Sequence, residues 1–405
     1  MNIVLGIVVG LIVLMFLIVS HEFGHFIMAR RNGVRVKEFG VGFPPRLAAW
    51  VHVPPKKKGG KWTWKRLPKK DWGDEQKSLI FSVNSLPIGG FCAMDGESDS
   101  DERPGTFGSV SYWKKTKILF GGVAMNWLVA FLILTVLSWT GLPPMLENQF
   151  TIKSDETVEL KEPVTIDKIY EDSPAERAGL KTGDVITAAI SPSGKRTEIL
   201  ASTDVVAFGK LYPGETVKYV VNGEEVEVTL NEEGSDVLLG VTMTYGSTIS
   251  RYTWSAPLVG AGLTVQLTGE TYKGLWNMLV NLVTGAARQV NLDASVREEG
   301  REQMSEATEG VSGIVGILGG YFPNIVSAGP TYVFVLAAII SVSLACMNVL
   351  PIPALDGGRW FMITLARLKH KKLSQETEQR VVARAFIFLL ILMAIITVMD
   401  IVRLF

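Results

Sequence analysis

Residues 1–20 carry no charge and apolar character continues through residue 29, which is long enough to cross a hydrocarbon core of roughly 30 Å at about 1.5 Å per residue. Further apolar runs stand at 118–139, 331–349 and 383–404. Runs of about 18 or more predominantly apolar residues read as membrane helices, so the pattern predicts four spans. Between the first two, residues 34–43 and 81–94 are rich in glycine, β-branched and aromatic residues and read as strands. Ser85-Leu86-Pro87-Ile88-Gly89-Gly90-Phe91 is apolar for an aqueous loop. It is read as a β-hairpin, either re-entrant at membrane depth against protein or lying on the membrane surface.

From residue 150 to 245 the pattern changes to short alternating runs such as 217–221 and 225–230, joined by Asn222-Gly223. That dipeptide predicts a type I′ hairpin. Ser173-Pro174 predicts a helix start with a serine cap and proline at its first position, stopping near Gly179. Residues 255–330 mix apolar residues with many glycines and predict amphipathic helices on the outer membrane face, with 310–320 as a tight loop or re-entrant piece.

The expected fold is therefore a polytopic α-helical membrane protein with four transmembrane helices, a membrane-associated β-hairpin region and one inserted mixed α/β domain. The expected boundaries are 1–30 for the first span, 31–116 for a cytoplasmic loop with the hairpin, and 117–140 for the second span. The inserted domain follows at 150–245, the interfacial helices at 255–330, the third span with its polar end at 331–366, a loop at 367–382 and the fourth span at 383–405.

Composition sharpens this picture. A hydrophobic fraction of 47% with 20% charged residues and a mean hydropathy of +0.26 fits spans plus an aqueous domain. The net charge is zero, but residues 30–117 hold 18 Lys/Arg against 9 Asp/Glu, whereas residues 141–330 hold 14 against 26. By the positive-inside rule the basic loops, including Lys56-Lys57-Lys58, are cytoplasmic and the acidic middle region lies outside. The expected location is the inner membrane, in contact with lipid, with no nucleic-acid partner. The two cysteines, Cys92 and Cys346, fall in the basic loop and a span, so no disulfide is expected. The N-terminal stretch lacks a positive flank and a small-residue cleavage site, and is read as a retained span.

The candidate chemistry sits inside the first span, at His21-Glu22-Phe23-Gly24-His25. Histidines four apart share a helix face and offer two imidazole nitrogens to one metal, with Glu22 beside them as a base. Ionisable groups at membrane depth are costly unless used or paired. A third ligand is read from Asn348-Val349-Leu350-Pro351-Ile352-Pro353-Ala354-Leu355-Asp356-Gly357-Gly358, which closes the third span. Its prolines unwind the backbone, and counting inward places Asp356 at the depth of the histidines. The competing role for Asp356 is a helix cap. Two histidines and a carboxylate with an open position suit a catalytic Zn2+. The metal would acidify water whose proton Glu22 takes during peptide hydrolysis. Asn348 is either an amide donor near substrate or a helix-packing residue, and the hairpin with Gly89, Gly90 and Phe91 is a candidate edge where an unwound substrate adds as a strand.

HEFGH, Gly122-Val123-Ala124-Met125-Asn126, the alternating insert and Asn348 to Gly358, in that order, resemble the site-2 protease family of intramembrane zinc metalloproteases. The insert resembles a PDZ domain through Gly179, Leu180, Gly183, Asp184 and Ile186, which places the likeness in the bacterial RseP-like group with a single PDZ domain. The resemblance implies His21, His25 and Asp356 as zinc ligands and Glu22 as catalytic acid/base. It implies a zinc metalloendopeptidase of regulated intramembrane proteolysis, cleaving transmembrane segments of anti-sigma-factor-type proteins and signal-peptide remnants. A peptide-binding role for the PDZ-like domain and a role as size filter both remain open. Arg359 stands where histidine is frequent in the family. An inactive membrane scaffold would have no need of Glu22, and a transporter would show repeated halves with charged pathways, which this chain lacks.

Overall fold

The computed structural model describes residues 2–53, 63–69, 72, 78–96, 98–232, 238–244, 247–291, 293–309, 313–370 and 373–404. Lys56-Lys57-Lys58, Glu97, Tyr245 and residues 310–312 of the expected tight loop lie outside them. The chain divides into two compact units, Met1–Thr135 with Gly260–Phe405, and Val136–Val259.

The first unit opens with α1 (Asn2–Arg31), whose last turn carries Arg30 and Arg31, cations that suit the negative end of a helix. Gly33 at φ +86° terminates it, and Val34 N–H reaches back to the Ala29 carbonyl at 2.9 Å, a glycine-dependent stop. The strands β1 (Val36–Val53), β2 (Thr63–Arg66) and β3 (Ile80–Met94) form a sheet in the order β2-β1-β3. Both long strands fold back on themselves. Gly40 pairs with both Phe91 and Ser82, while Ser82 also pairs with Ala49. The bend in β1 needs Gly42 at φ +78°, where a β-carbon would lie 2.6 Å from the Leu86 carbonyl oxygen. Phe26 of α1 joins the sheet through Phe39 and Phe81, with ring centres 5.5 and 5.8 Å away. In α2 (Tyr112–Thr140) Gly121 sits against Gly24, the close helix approach that small residues permit in membranes.

The second unit holds β4 (Thr157–Glu162), β5 (Val164–Ile169), α3 (Pro174–Arg177), β6 (Val185–Ile190), β7 (Arg196–Glu198), α4 (Ser202–Leu211), β8 (Thr216–Val221), β9 (Glu224–Thr229), β10 (Val241–Met243) and β11 (Ser247–Arg251). One sheet runs β10-β5-β6-β8-β9 with β7 on β6, and β4 pairs with β11 in a separate two-stranded stem. Its core gathers alternate strand residues such as Val164, Ile166, Ile186, Val217 and Tyr219 around Phe208 of α4. Asn222 at φ 52° and Gly223 at φ 89° make the tight β8–β9 turn that their sequence predicts. Ser173 caps α3 by accepting from Glu176 N–H, with Pro174 at the first position.

The chain returns to the first unit through α5 (Ala256–Gln289), a continuous helix of 34 residues, and α6 (Ala294–Glu309). Then α7 (Ile314–Gly316), a π-helical turn (Ile317–Tyr321) and α8 (Phe322–Ala328) follow without a break. The described part of the expected loop at 310–320 is thus helical from Ile314, and it packs on α1 where glycine leaves room: a β-carbon on Gly10 would lie 2.6 Å from Leu318 Cδ2. The last elements are α9 (Pro330–Val349), α10 (Asp356–Leu368) and α11 (Gln375–Leu404). Among the described residues α1, α2, α9 and α11 are long and apolar enough to cross a membrane. α11 starts eight residues before the expected 383, shortening the expected 367–382 loop. Ser374 Oγ accepts from Thr377 N–H at 3.3 Å and Glu376 and Glu378 occupy the first turn, so a capped polar turn precedes the apolar part that hydropathy detects.

Candidate metal centre

α1 presents His21 and His25 one turn apart, both buried, with their Nε2 atoms 3.1 Å from each other. Asp356 Oδ2 lies 3.1 Å from His21 Nε2 and 3.2 Å from His25 Nε2. The local sequence explains how the carboxylate arrives. α9 ends at Val349, residues 350–355 are non-helical, and Asp356 is the first residue of α10. Gly357 and Gly358 let that loop fold directly onto the new helix, because a β-carbon on either would run into the carbonyl of Val349 or Ile352. Asp356 is thus the first helical residue of α10, and its carboxylate faces the histidines. The cap position falls to Leu355, with no side-chain cap bond, so the alternative role of Asp356 as a helix cap is not what the structure has.

Around a tetrahedral zinc with bonds of about 2.0–2.1 Å, neighbouring donors lie roughly 3.3–3.4 Å apart. The three donor atoms here already form a triangle of nearly that size. The outer nitrogens fix the tautomers. His25 Nδ1 is 2.9 Å from the Ile118 carbonyl oxygen; a carbonyl only accepts, so Nδ1 carries the proton and Nε2 keeps its lone pair for a metal. His21 Nδ1 is 3.3 Å from the Asn126 amide, and the buried Asn126 Oδ1 has no partner of its own. With the amide turned so that Oδ1 faces His21, one hydrogen bond satisfies the oxygen and frees His21 Nε2 likewise. Between these two supports stands Gly122, where a β-carbon would lie 2.5 Å from His25 Nε2 and 2.6 Å from His21 Nε2. The residues present fit a zinc ion.

Glu22 lies next to the triad on α1 and accepts a hydrogen bond from the backbone N–H of Cys92 in β3. Nearby, Gly90 of the same strand lies against Val19 of α1, with 3.2 Å between a β-carbon built on it and Val19 Cγ2. The Phe91 ring covers Gly40, and Gly89, at φ +94°, lies against the Phe43 ring. Thus the structure brings His21, His25 and Asp356 together, with Glu22 beside them and the outer arm of β3 held to Glu22. The Asn348 amide is engaged within its own helix, donating to the Leu344 carbonyl at 2.9 Å. Asp400, in the apolar part of α11, accepts from Gly316 N–H at 2.8 Å and takes no part in the triad.

In the sequence Gly122 and Asn126 enter only as part of a family-like run, and neither they nor Ile118 are given a place at the metal centre. The signal was their spacing: 118, 122 and 126 recur every four residues, one face of α2, opposite the pair at 21 and 25. Ser341 Oγ of α9 donates to the Asn126 carbonyl at 2.8 Å and ties a third helix to that face.

The profile of Peptidase family M50 matches residues 9–393. A candidate zinc metalloprotease of Clostridium acetobutylicum is 27% identical over 407 residues, covering 98% of this chain and 97% of the relative. The zinc metalloprotease RasP of Bacillus licheniformis is 23% identical, with 96% and 97% covered. The regulator of sigma-W protease RasP of Bacillus subtilis is 24% identical, with 96% of each chain covered.

Proposed function

The chain belongs to peptidase family M50, the site-2 proteases, and is a zinc metalloprotease of that type; we propose that it cleaves, within the bilayer, membrane-spanning segments of anti-sigma-factor-like signalling proteins and signal-peptide remnants. The observation that carries this reading is the donor triangle of His21 and His25 on α1, a helix apolar enough to cross a membrane, with Asp356 at the start of α10. The Bacillus subtilis relative, named a regulator of sigma-W protease, supports the substrate class.

In this reading His21 Nε2, His25 Nε2 and Asp356 Oδ2 hold the zinc, which when bound supplies a Lewis acid for the scissile carbonyl and an acidified water. Glu22 takes a proton from the attacking water and delivers it to the leaving amine nitrogen. Ile118 and Asn126 hold the imidazoles in the required tautomer. A helical substrate must first be unwound, and its freed backbone groups need partners inside the membrane. The edge of β3 at Gly89, Gly90 and Phe91 supplies them by strand addition beside Glu22. Asn348 joins as a donor to substrate backbone on leaving the Leu344 carbonyl.

The inserted unit is read as a PDZ-like domain outside the cytoplasm, and the metal centre as lying toward the cytoplasmic side of the inner membrane. Its support is the glycine-shaped run after α3: Gly179 and Gly183 adopt φ +78° and +92°, and Lys181 N–H donates to Asp184 Oδ2 at 2.8 Å. It either binds peptide ends or selects substrates by size.

The decisive experiment is Glu22→Gln in proteoliposomes with a single-span anti-sigma-type substrate. Loss of cleavage by about a hundredfold or more, with zinc retained, is the expected outcome. Undiminished cleavage by the variant would sink the mechanism. The same inactive variant, used as a trap, identifies natural substrates.

A further inference from the structure

A cavity of about 360 Å³ has Asp356 on its wall together with Arg359, Glu378, Gln375, Gln379 and Ser98. Arg359 follows the metal-binding carboxylate by three residues on α10, so the two project from one side of the helix. Its guanidinium is held on two sides. Nε donates to Glu378 Oε1 at 3.1 Å, and the guanidinium carbon sits 4.8 Å from the centre of the Phe107 ring. Glu378 in turn is buried and accepts from Ser98 Oγ at 3.2 Å and Asp99 N–H at 3.1 Å. The neighbouring cation, Lys115, is taken up by Asp99 at 2.6 Å.

The Arg359 Nη groups have no hydrogen-bond acceptor among the described residues. Glu378 occupies only the Nε side, so the terminal fork of the guanidinium is free and already oriented. Such a fork matches a carboxylate in charge and geometry. Peptide hydrolysis creates a carboxylate: water oxygen bonds to the carbonyl carbon, the C–N bond breaks, the amine nitrogen takes a proton, and the new acid ionises.

We propose that Arg359, positioned by Glu378 and Phe107, is a product subsite that receives the new C-terminal carboxylate of the cleaved segment. This rests on the protease reading of the metal centre. The subsite draws the carboxylate away from the centre along α10 and favours release of the product over its persistence as an inhibitor.

The test uses the full-length zinc-loaded protein in detergent and a fluorescently labelled apolar tetrapeptide, prepared as the free acid and as the C-terminal amide. Binding is followed by anisotropy. The wild type is expected to prefer the acid by about tenfold or more, the size of one charge-assisted hydrogen-bonded contact. Arg359→Gln should lose most of that preference while retaining zinc, and Arg359→Lys should keep part of it. Glu378→Gln preserves an acceptor for Nε but removes a competing negative charge, so its acid preference should rise. An internal aspartate added to the amide peptide distinguishes a side-chain carboxylate from the terminal one: only the terminal acid should recover the preference.

Full acid preference in zinc-loaded Arg359→Gln would overturn the subsite, as would an unchanged preference in Glu378→Gln should the arginine variant fail to fold. Acid preference without any cleavage by the wild type would instead overturn the protease reading and leave the subsite standing.

Discussion

Gly122 stands so close to His25 that a β-carbon on it would lie 2.5 Å from the ring Nε2. The absence of a side chain there keeps α2 clear of the space between the three donor atoms. Gly122→Ala should therefore expel the metal while leaving the helix intact, since alanine is the better helix former by about 1 kcal/mol. Purified variant should contain well below one zinc per chain with an unchanged far-ultraviolet circular dichroism spectrum and no cleavage. Stoichiometric zinc in this variant would contradict the placement of the ion.

Asn126 acts one step further out, through His21 Nδ1 at 3.3 Å. Partners of this kind fix ring orientation and typically contribute about 10–100-fold to metal affinity. Asn126→Ala should lower zinc affinity by that range in a chelator competition assay. Ser341→Ala is the control. Its hydroxyl meets only the Asn126 backbone carbonyl, at 2.8 Å, so it should leave zinc affinity unchanged, whereas equal losses in both variants would indicate loosened helix packing.

How much of this arrangement is legible in the sequence depends on the length scale of the interaction. His21, His25 and Asp356 are legible because ionisable groups in apolar stretches have few alternative explanations, and the spans because hydropathy sums over many residues. The residues of α2 that orient the imidazoles and leave room between them are not. Gly122 and Asn126 look like ordinary packing residues, and Ile118 contributes a backbone carbonyl that its side chain does not announce. The double pairing of Gly40 with Phe91 and Ser82 escapes for a related reason: alternation marks a strand, but a strand that bends onto two partners depends on long-range register. The early start of α11 is missed because its first turn is polar and capped, outside any apolar window.

A carboxylate of the second unit gives a pH-dependent prediction. Asp155 receives hydrogen bonds from Ser255 Oγ at 2.6 Å, Ser255 N–H at 3.0 Å, and Thr253 N–H at 2.8 Å, with a further one from Thr253 Oγ1, so it anchors the entry to α5. Desolvation raises its pKa, but the bonds from Ser255 and Thr253 outweigh this and hold it at about 2. An unfolded aspartate titrates near 3.9. The folded value is depressed, so the stabilisation is fully present above the unfolded pKa, declines between about 4 and 2, and is gone once both states are protonated. Asp155→Asn should thus lower the melting temperature relative to wild type at pH 6, with the gap narrowing as pH falls from about 4 to 2. A gap independent of pH would assign the effect to packing.

The inserted unit can be tested for size selection without disturbing that anchor. Glu162 at the end of β4 is the register partner of Ser247 at the start of β11, so replacing residues 163–246 by Asn-Gly closes the stem as a two-residue hairpin. The stem keeps Leu142 paired with Ser250 and retains Asp155 with both of its partners. If the insert selects by size, the shortened protein should bind zinc normally and cleave an intact single-span substrate several-fold faster, while its rate on a substrate already trimmed of its ectodomain stays the same. A peptide-recruiting insert gives the opposite pattern, with slower cleavage of the trimmed substrate through a raised KM. Unchanged rates on both substrates would show that the insert serves neither role, leaving discrimination to the strand edge beside Glu22.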